Sequence, residues 1–149
     1  MADPAAAPTP PSNLDAEENV LGAMMLSRHA IESVTDVVSA SDFYRHSHSV
    51  IYQACIDLYD EGGPVDAITV ADRLERDGTL KEIGGTARLH EIATLVPATA
   101  NVTHYARIVR EQSMLRSAAT LGEQLRHRPS DGPRMLNEQL SHRAQHPVF

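Results

Sequence analysis

From Asn101 to about His127 the chain contains no proline and only one glycine, Gly122. An unbroken stretch of that kind predicts a single helix, and at 1.5 Å per residue it would be roughly 40 Å long. A domain of this size cannot bury such a helix from end to end. Its apolar residues, Val102, Tyr105, Ile108, Val109, Leu115, Ala118, Ala119, Leu121 and Leu125, recur as a stripe along its length, so something has to cover that stripe. Pro129-Ser130-Asp131-Gly132-Pro133 reads as a turn, with Asp131 and Pro133 as the cap and first turn of a last helix that carries Met135, Leu136, Leu140 and Ala144. A long helix over about 101–127, a turn over 128–133 and a shorter helix over about 134–146 make an antiparallel hairpin. The return arm is the shorter one. Part of the long arm is therefore left uncovered within one chain, which predicts a contact between copies.

The residues before Asn101 carry a different pattern. Residues 1–11 are Ala and Pro with a single acid, a composition that buries nothing and predicts a disordered arm. Order should begin near Ser12-Asn13, a capping pair followed by Asp15, Glu17 and Glu18, acids that suit the positive end of a helix dipole. Leu14, Val20, Leu21, Met24 and Met25 then recur at helical spacing. Ser27 caps a second helix with Ala30, Ile31, Val34, Val37 and Val38 inward, and Asp42-Phe43-Tyr44 forms a turn that drops an aromatic pair into the core. A third helix runs roughly from Ser47 to Glu61 and is stopped by Gly62-Gly63-Pro64. Asp66 or Thr69 starts a fourth that Gly78 closes; Thr79 to Ile83 makes one more short turn, and Thr86 opens a helix that ends at Val96-Pro97. Residues 12–98 thus read as a compact head of six short helices, residues 99–149 as the hairpin, and the fold class as all-α.

Composition narrows the function. The chain has a formal charge of −7, which argues against direct nucleic-acid binding, because affinity for phosphates is mostly cationic charge. The balance is uneven: residues 1–100 hold six Arg or Lys against sixteen Asp or Glu, a net of −10, and residues 101–149 hold seven against four, a net of +3. An acidic head and a mildly basic tail read either as a plain solvated surface or as faces that help neighbouring subunits or partners dock. A helix-turn-helix DNA-binding reading is disfavoured by the same numbers. Cys55 is the only cysteine, so no internal disulfide forms; the histidine pairs His46/His48 and His142/His146 have no cysteine nearby to complete a zinc set. Asp57-Leu58-Tyr59-Asp60-Glu61 reads as a solvated acidic face, without the nucleophile or basic partner an active site needs. With no apolar run long enough to cross a bilayer and no secretory signal at the N-terminus, a cytoplasmic location is expected.

Several of these punctuation marks stand in a known order. Leu14-Asp15-Ala16-Glu17 leads to Val20-Leu21-Gly22, then come Asp42-Phe43-Tyr44 with His48, Gly63-Pro64-Val65-Asp66 with Thr69-Val70, Gly84-Gly85, Pro97, Asn101 and Tyr105-Ala106-Arg107-Ile108-Val109. In order and spacing this series resembles the N-terminal domain of the bacterial replicative DNA helicases of the DnaB type, from Ser12 to about Leu125. The resemblance implies a helical head with a hairpin that pairs subunits, dimers that assemble further into a hexameric collar, and a surface that docks primase or a helicase loader. It implies self-association through Tyr105, Ile108, Val109, Leu115, Leu121, Leu125, Leu136 and Leu140. Partner docking is expected to involve Arg88, Arg116 and Ala119, where Arg88 takes a place the family often gives to an aromatic, and Ala118 and Ala119 take places where bulky aliphatics are common.

The motor's chemistry is not in this sequence. No Gly-x-x-x-x-Gly-Lys-Ser/Thr loop occurs, and Gly84-Gly85-Thr86 has no following lysine, so ATP and magnesium are expected only through a motor domain that these residues do not include. No catalytic residue, metal or cofactor is assigned. Two arrangements follow from the resemblance. The chain is the N-terminal part of a longer helicase that co-assembles with its motor, or it is a free-standing helicase-like regulator that binds a helicase or primase. Pro147-Val148-Phe149 reads as an abrupt end.

Overall fold

The computed structural model describes residues 10–96 and 101–126. Among these, six α-helices and one 3-10 turn follow in order: α1 (Leu14–Leu26), α2 (Arg28–Thr35), the 3-10 turn (Ala40–Asp42), α3 (His46–Asp60), α4 (Ala67–Arg76), α5 (Gly85–Thr94) and α6 (Val102–Arg126). The backbone divides into two units between Met114 and Leu115, so α6 begins in the first and ends in the second. The expected turn at 128–133, the return helix at 134–146, Leu136, Leu140 and residues 1–9 lie outside the described residues. None of the described helices is long and apolar enough to cross a membrane.

Helices α1, α2, α4 and α6 start where a side chain takes up a first free N–H group. Asn13 Oδ1 accepts from Ala16 N at 3.0 Å and Ser27 Oγ from Ala30 N at 3.4 Å. Of the two residues that could start α4, Asp66 is the cap. Its Oδ1 accepts from Thr69 N at 2.8 Å while Thr69 Oγ1 accepts from Asp66 N at 3.0 Å, a reciprocal capping box. The segment before α5 forms hydrogen-bonded turns and not a sixth helix, and the 3-10 turn at Ala40–Asp42 supplies the additional short element.

The core of the first unit is aliphatic, with Val20, Leu21, Met24, Ile31, Val34, Ile51, Cys55, Val70, Leu89 and Ile92 fully enclosed. Burial pushes the Cys55 thiol up to about 12, so this cysteine is packing material, without a reactive thiolate. One expectation fails here. Phe43 is buried but Tyr44 is 40% exposed, and the aromatic neighbour of Phe43 is Tyr52, with ring centroids 5.0 Å apart. Phe43 has an extended backbone, and in extended chain successive side chains point to opposite sides. Tyr52 completes the site by donating its hydroxyl to Val38 O at 2.8 Å.

Helices α1 and α5 run side by side in the same direction, since Glu18 pairs with Arg88 and Gly22 faces Ile92 and Val96. The approach is close enough that a Cβ on Gly22 would sit 2.6 Å from the Ile92 carbonyl oxygen and against the Val96 side chain. Backbone cannot yield as a flexible side chain can. Gly22→Ala is expected to destabilise the head by about 1–3 kcal/mol, read as a lower denaturant midpoint with an unchanged slope.

Candidate protein-interaction surface

In the first unit, α6 contributes Ala106 and Val109 to the core at 0% and 1% exposure, with Val102, Tyr105 and Ile108 packed beside them. The polar fastening is a carboxylate. Asp42, 4% exposed, uses Oδ2 to accept from Ser39 N at 2.8 Å, and Oδ1 to accept from Arg110 Nη1 at 3.0 Å and Ser113 Oγ at 2.8 Å. Burial pushes the Asp42 carboxyl up, but the donors from Ser39, Ser113 and Arg110 more than offset it and hold it below the usual carboxylate value. What these bonds contribute to stability is therefore fully present above the usual carboxylate range and lost as pH falls through the lowered value.

In the second unit, the remaining turns of α6 present a different surface. Leu115, Leu121 and Leu125 are 53%, 59% and 69% exposed. At 100° per residue Leu115, Ala118, Leu121, Gly122 and Leu125 fall within about 120° of arc, while Arg116, Ser117, Thr120, Glu123 and Gln124 occupy the other side. Ala118 and Gly122 put small residues between the leucines, which leaves holes that knobs from a facing helix can enter. The arc also has the three-and-four spacing of a helix-pairing seam.

The eight residues expected to mediate self-association are thus divided by the structure. Tyr105, Ile108 and Val109 are already engaged by the head, Leu115, Leu121 and Leu125 form the exposed arc, and Leu136 and Leu140 are outside the described residues. The docking residues are divided too. Arg116 and Ala119 belong to the second unit, and Ala119 is exposed. Arg88 belongs to α5 in the first unit, where its guanidinium pairs with Glu18 and, at 3.2 Å, with Glu91; only about a fifth of its side chain is exposed.

Beside Arg88 lies a buried polar cluster that sequence reasoning missed. Glu17 and His48 are each 1% exposed. The Glu17 carboxylate accepts from Tyr44 N at 2.7 Å and Arg45 N at 3.4 Å, and its Oε1 lies 2.8 Å from His48 Nδ1. His48 Nε2 makes no hydrogen bond among the described residues and faces Glu18 Oε1 at 3.9 Å. Arg45, at the N-cap of α3, offers no side-chain cap, so Glu17 reaches over from α1 to hold the start of α3. A carboxylate there also meets the positive end of the α3 dipole. The cluster joins α1, α3 and α5 and has the features of a structural clasp. Among the described residues no group of three or more His, Cys, Asp or Glu side chains could hold a metal ion.

Comparison with known proteins agrees with this geometry. Residues 9–111 match the family described as the DnaB-like helicase N terminal domain. The chain is 46% identical over 113 residues to the replicative DNA helicase DnaB of Mycobacterium leprae, covering 76% of this chain and 19% of that protein. It is 46% identical over 107 residues to the replicative DNA helicase DnaC of Bacillus subtilis, covering 72% and 24%. Among solved structures, the N-terminal domain of DnaB helicase from Mycobacterium tuberculosis superposes with a TM-score of 0.82 at 41% identity, over 87% of this chain and 94% of that one. The N-terminal domain of DnaB helicase from Helicobacter pylori, described together with its interactions with primase, gives 0.66 at 26% identity, over 76% and 88%. The chain spans about a fifth to a quarter of the length of the curated relatives it matches, and the match is to their N-terminal, non-motor domain.

Proposed function

Because this chain belongs to the DnaB-like helicase N-terminal domain family, we propose that it acts as a non-catalytic assembly module of the replisome: it self-associates through its hairpin and docks replication proteins. The observation that carries this reading is the leucine arc of α6. Each leucine side chain would gain about 1.5–3 kcal/mol on burial, and three of them stand more than half exposed on one face. A second helix with a matching seam covers such an arc most economically, and a second copy of the chain has one. ATP hydrolysis and DNA unwinding then belong to a motor domain that works with this module, in the cytoplasm. The acidic head keeps the module itself off the nucleic acid.

Primase is the docking partner this reading favours, because a structural relative is described with its primase interactions. Arg116 and Ala119 lie on turns of α6 outside the core, where a partner can reach them. Arg88 sits at the edge of the α1–α5 pair, held by two glutamates, and contributes less. The test is titration calorimetry of the purified chain against the primase of the same organism. Association is expected, weakened several-fold by Arg116→Glu or by a bulky charged residue at position 119; absence of any heat of binding at tens of micromolar would remove primase docking from the reading.

A further inference from the structure

We infer that Asp42 is a latch that holds the first half of α6 on the head, and that it opens without unfolding the head. The two oxygens of its carboxylate do separate jobs. Oδ2 closes the 3-10 turn by accepting from Ser39 N at 2.8 Å, with Ser39 Oγ at 3.3 Å. Oδ1 looks the other way and takes the two donors from α6, Arg110 Nη1 at 3.0 Å and Ser113 Oγ at 2.8 Å. Arg110 and Ser113 are three residues apart, one turn of helix, and so present their donors to one point. The turn and the strap share an atom group but not a bond.

The balance of forces along α6 makes this contact decisive for the segment. Between Val102 and Ser113 only Ala106 and Val109 are fully buried, two small side chains, whereas α1 and α3 are each anchored by several large ones. The apolar hold on the segment rests on Ala106 and Val109 and on the half-buried Val102, Tyr105 and Ile108, and charged hydrogen bonds to a buried carboxylate fasten its C-terminal end. Opening is tolerable for the same reason. The Arg110 side chain is half exposed already, and when α6 lifts, water replaces its donors at Oδ1 while Ser39 still holds Oδ2. A segment with only two fully buried side chains and a polar fastening to a half-exposed arginine belongs to the less stable part of a fold, which opens locally below the global transition.

The test is amide hydrogen exchange on the full chain, comparing residues 105–113 with the core helices α1 and α3. Arg110→Met combined with Ser113→Ala removes both donors and leaves Asp42 and Ser39 in place. Exchange over 105–113 is expected to accelerate about tenfold or more, with α1 and α3 protected as in the unaltered chain. Arg110→Lys, which keeps a cation beside Oδ1, is expected to return most of that protection. Unchanged exchange over 105–113 would overturn the latch, and so would an equal acceleration across α1 and α3, which would make the contact part of the global fold.

Discussion

Glu17→Ala is expected to lower the stability of the head by about 3–5 kcal/mol, the scale for opening a cavity and leaving buried polar groups without a partner. That is a large share of the roughly 5–15 kcal/mol that holds a domain together, so the denaturation midpoint of the variant should fall markedly. The cost has three sources. His48 Nδ1 loses its 2.8 Å partner while its Nε2 has no hydrogen bond among the described residues, the backbone N–H groups of Tyr44 and Arg45 lose their acceptor, and a cavity opens between α1 and α3. Denaturant titration followed by circular dichroism measures it. Replacing Glu17 and His48 together by Met and Leu should cost less than Glu17→Ala alone, because apolar side chains of similar volume remove the polar groups in pairs. A double variant worse than the single one would mean that the cluster stabilises through something other than mutual satisfaction.

The second large effect concerns assembly and leaves folding alone. Leu121→Asp with Leu125→Asp places two carboxylates on the exposed arc of α6. If that arc is the centre of a self-association interface, each leucine contributes at the scale of an interface anchor, about 2 kcal/mol, and the pair raises the dissociation constant about 1,000-fold. Thermal melting of the head should be unaffected, since neither leucine belongs to its core. Sedimentation velocity separates the two results: a slower particle with an unchanged melt supports an interface, while a lowered melt assigns the leucines to the fold.

Much of the fold is legible in the residues because it is written in local chemistry. Asn13, Ser27 and Asp66 cap helices as their side chains require, Gly62 and Gly78 take positive φ where helices end, and the apolar spacing of α1 and α3 matches the faces they bury. What could not be read was long-range. Glu17 looks like a first-turn acid, yet it lies three and four residues before Val20 and Leu21 on the inward stripe. That position was the available signal: an acid on a buried face demands a partner, and among the described residues His48 is the buried histidine. No spacing along the chain connects residues 31 positions apart.

The division of the candidate surface is hidden in the sequence for the same reason. The stripe of α6 is visible as one periodic pattern, but periodicity cannot divide Val109, spent on the head, from Leu121, left in water. The exposure of Tyr44 depended on the backbone of one residue, Phe43. Arg88 stands where an aromatic is common, and nothing in the sequence signals that Glu18, 70 positions earlier, pairs with it. Ala118 and Ala119, which take places where bulky aliphatics are common, read from the sequence as lost interface volume; Ala118 and Gly122 are the two small residues of the exposed arc. On the helix they lie between leucines and form the hollows of a seam.

The central claim, that this domain exists to assemble, is tested most directly by its molar mass in solution. Size-exclusion chromatography with light scattering, run on the unaltered chain from about one to tens of micromolar, should show a mass of at least twice the 16.3 kDa monomer, rising with concentration if the dimers associate further. A strictly monomeric 16.3 kDa particle throughout that range would contradict it.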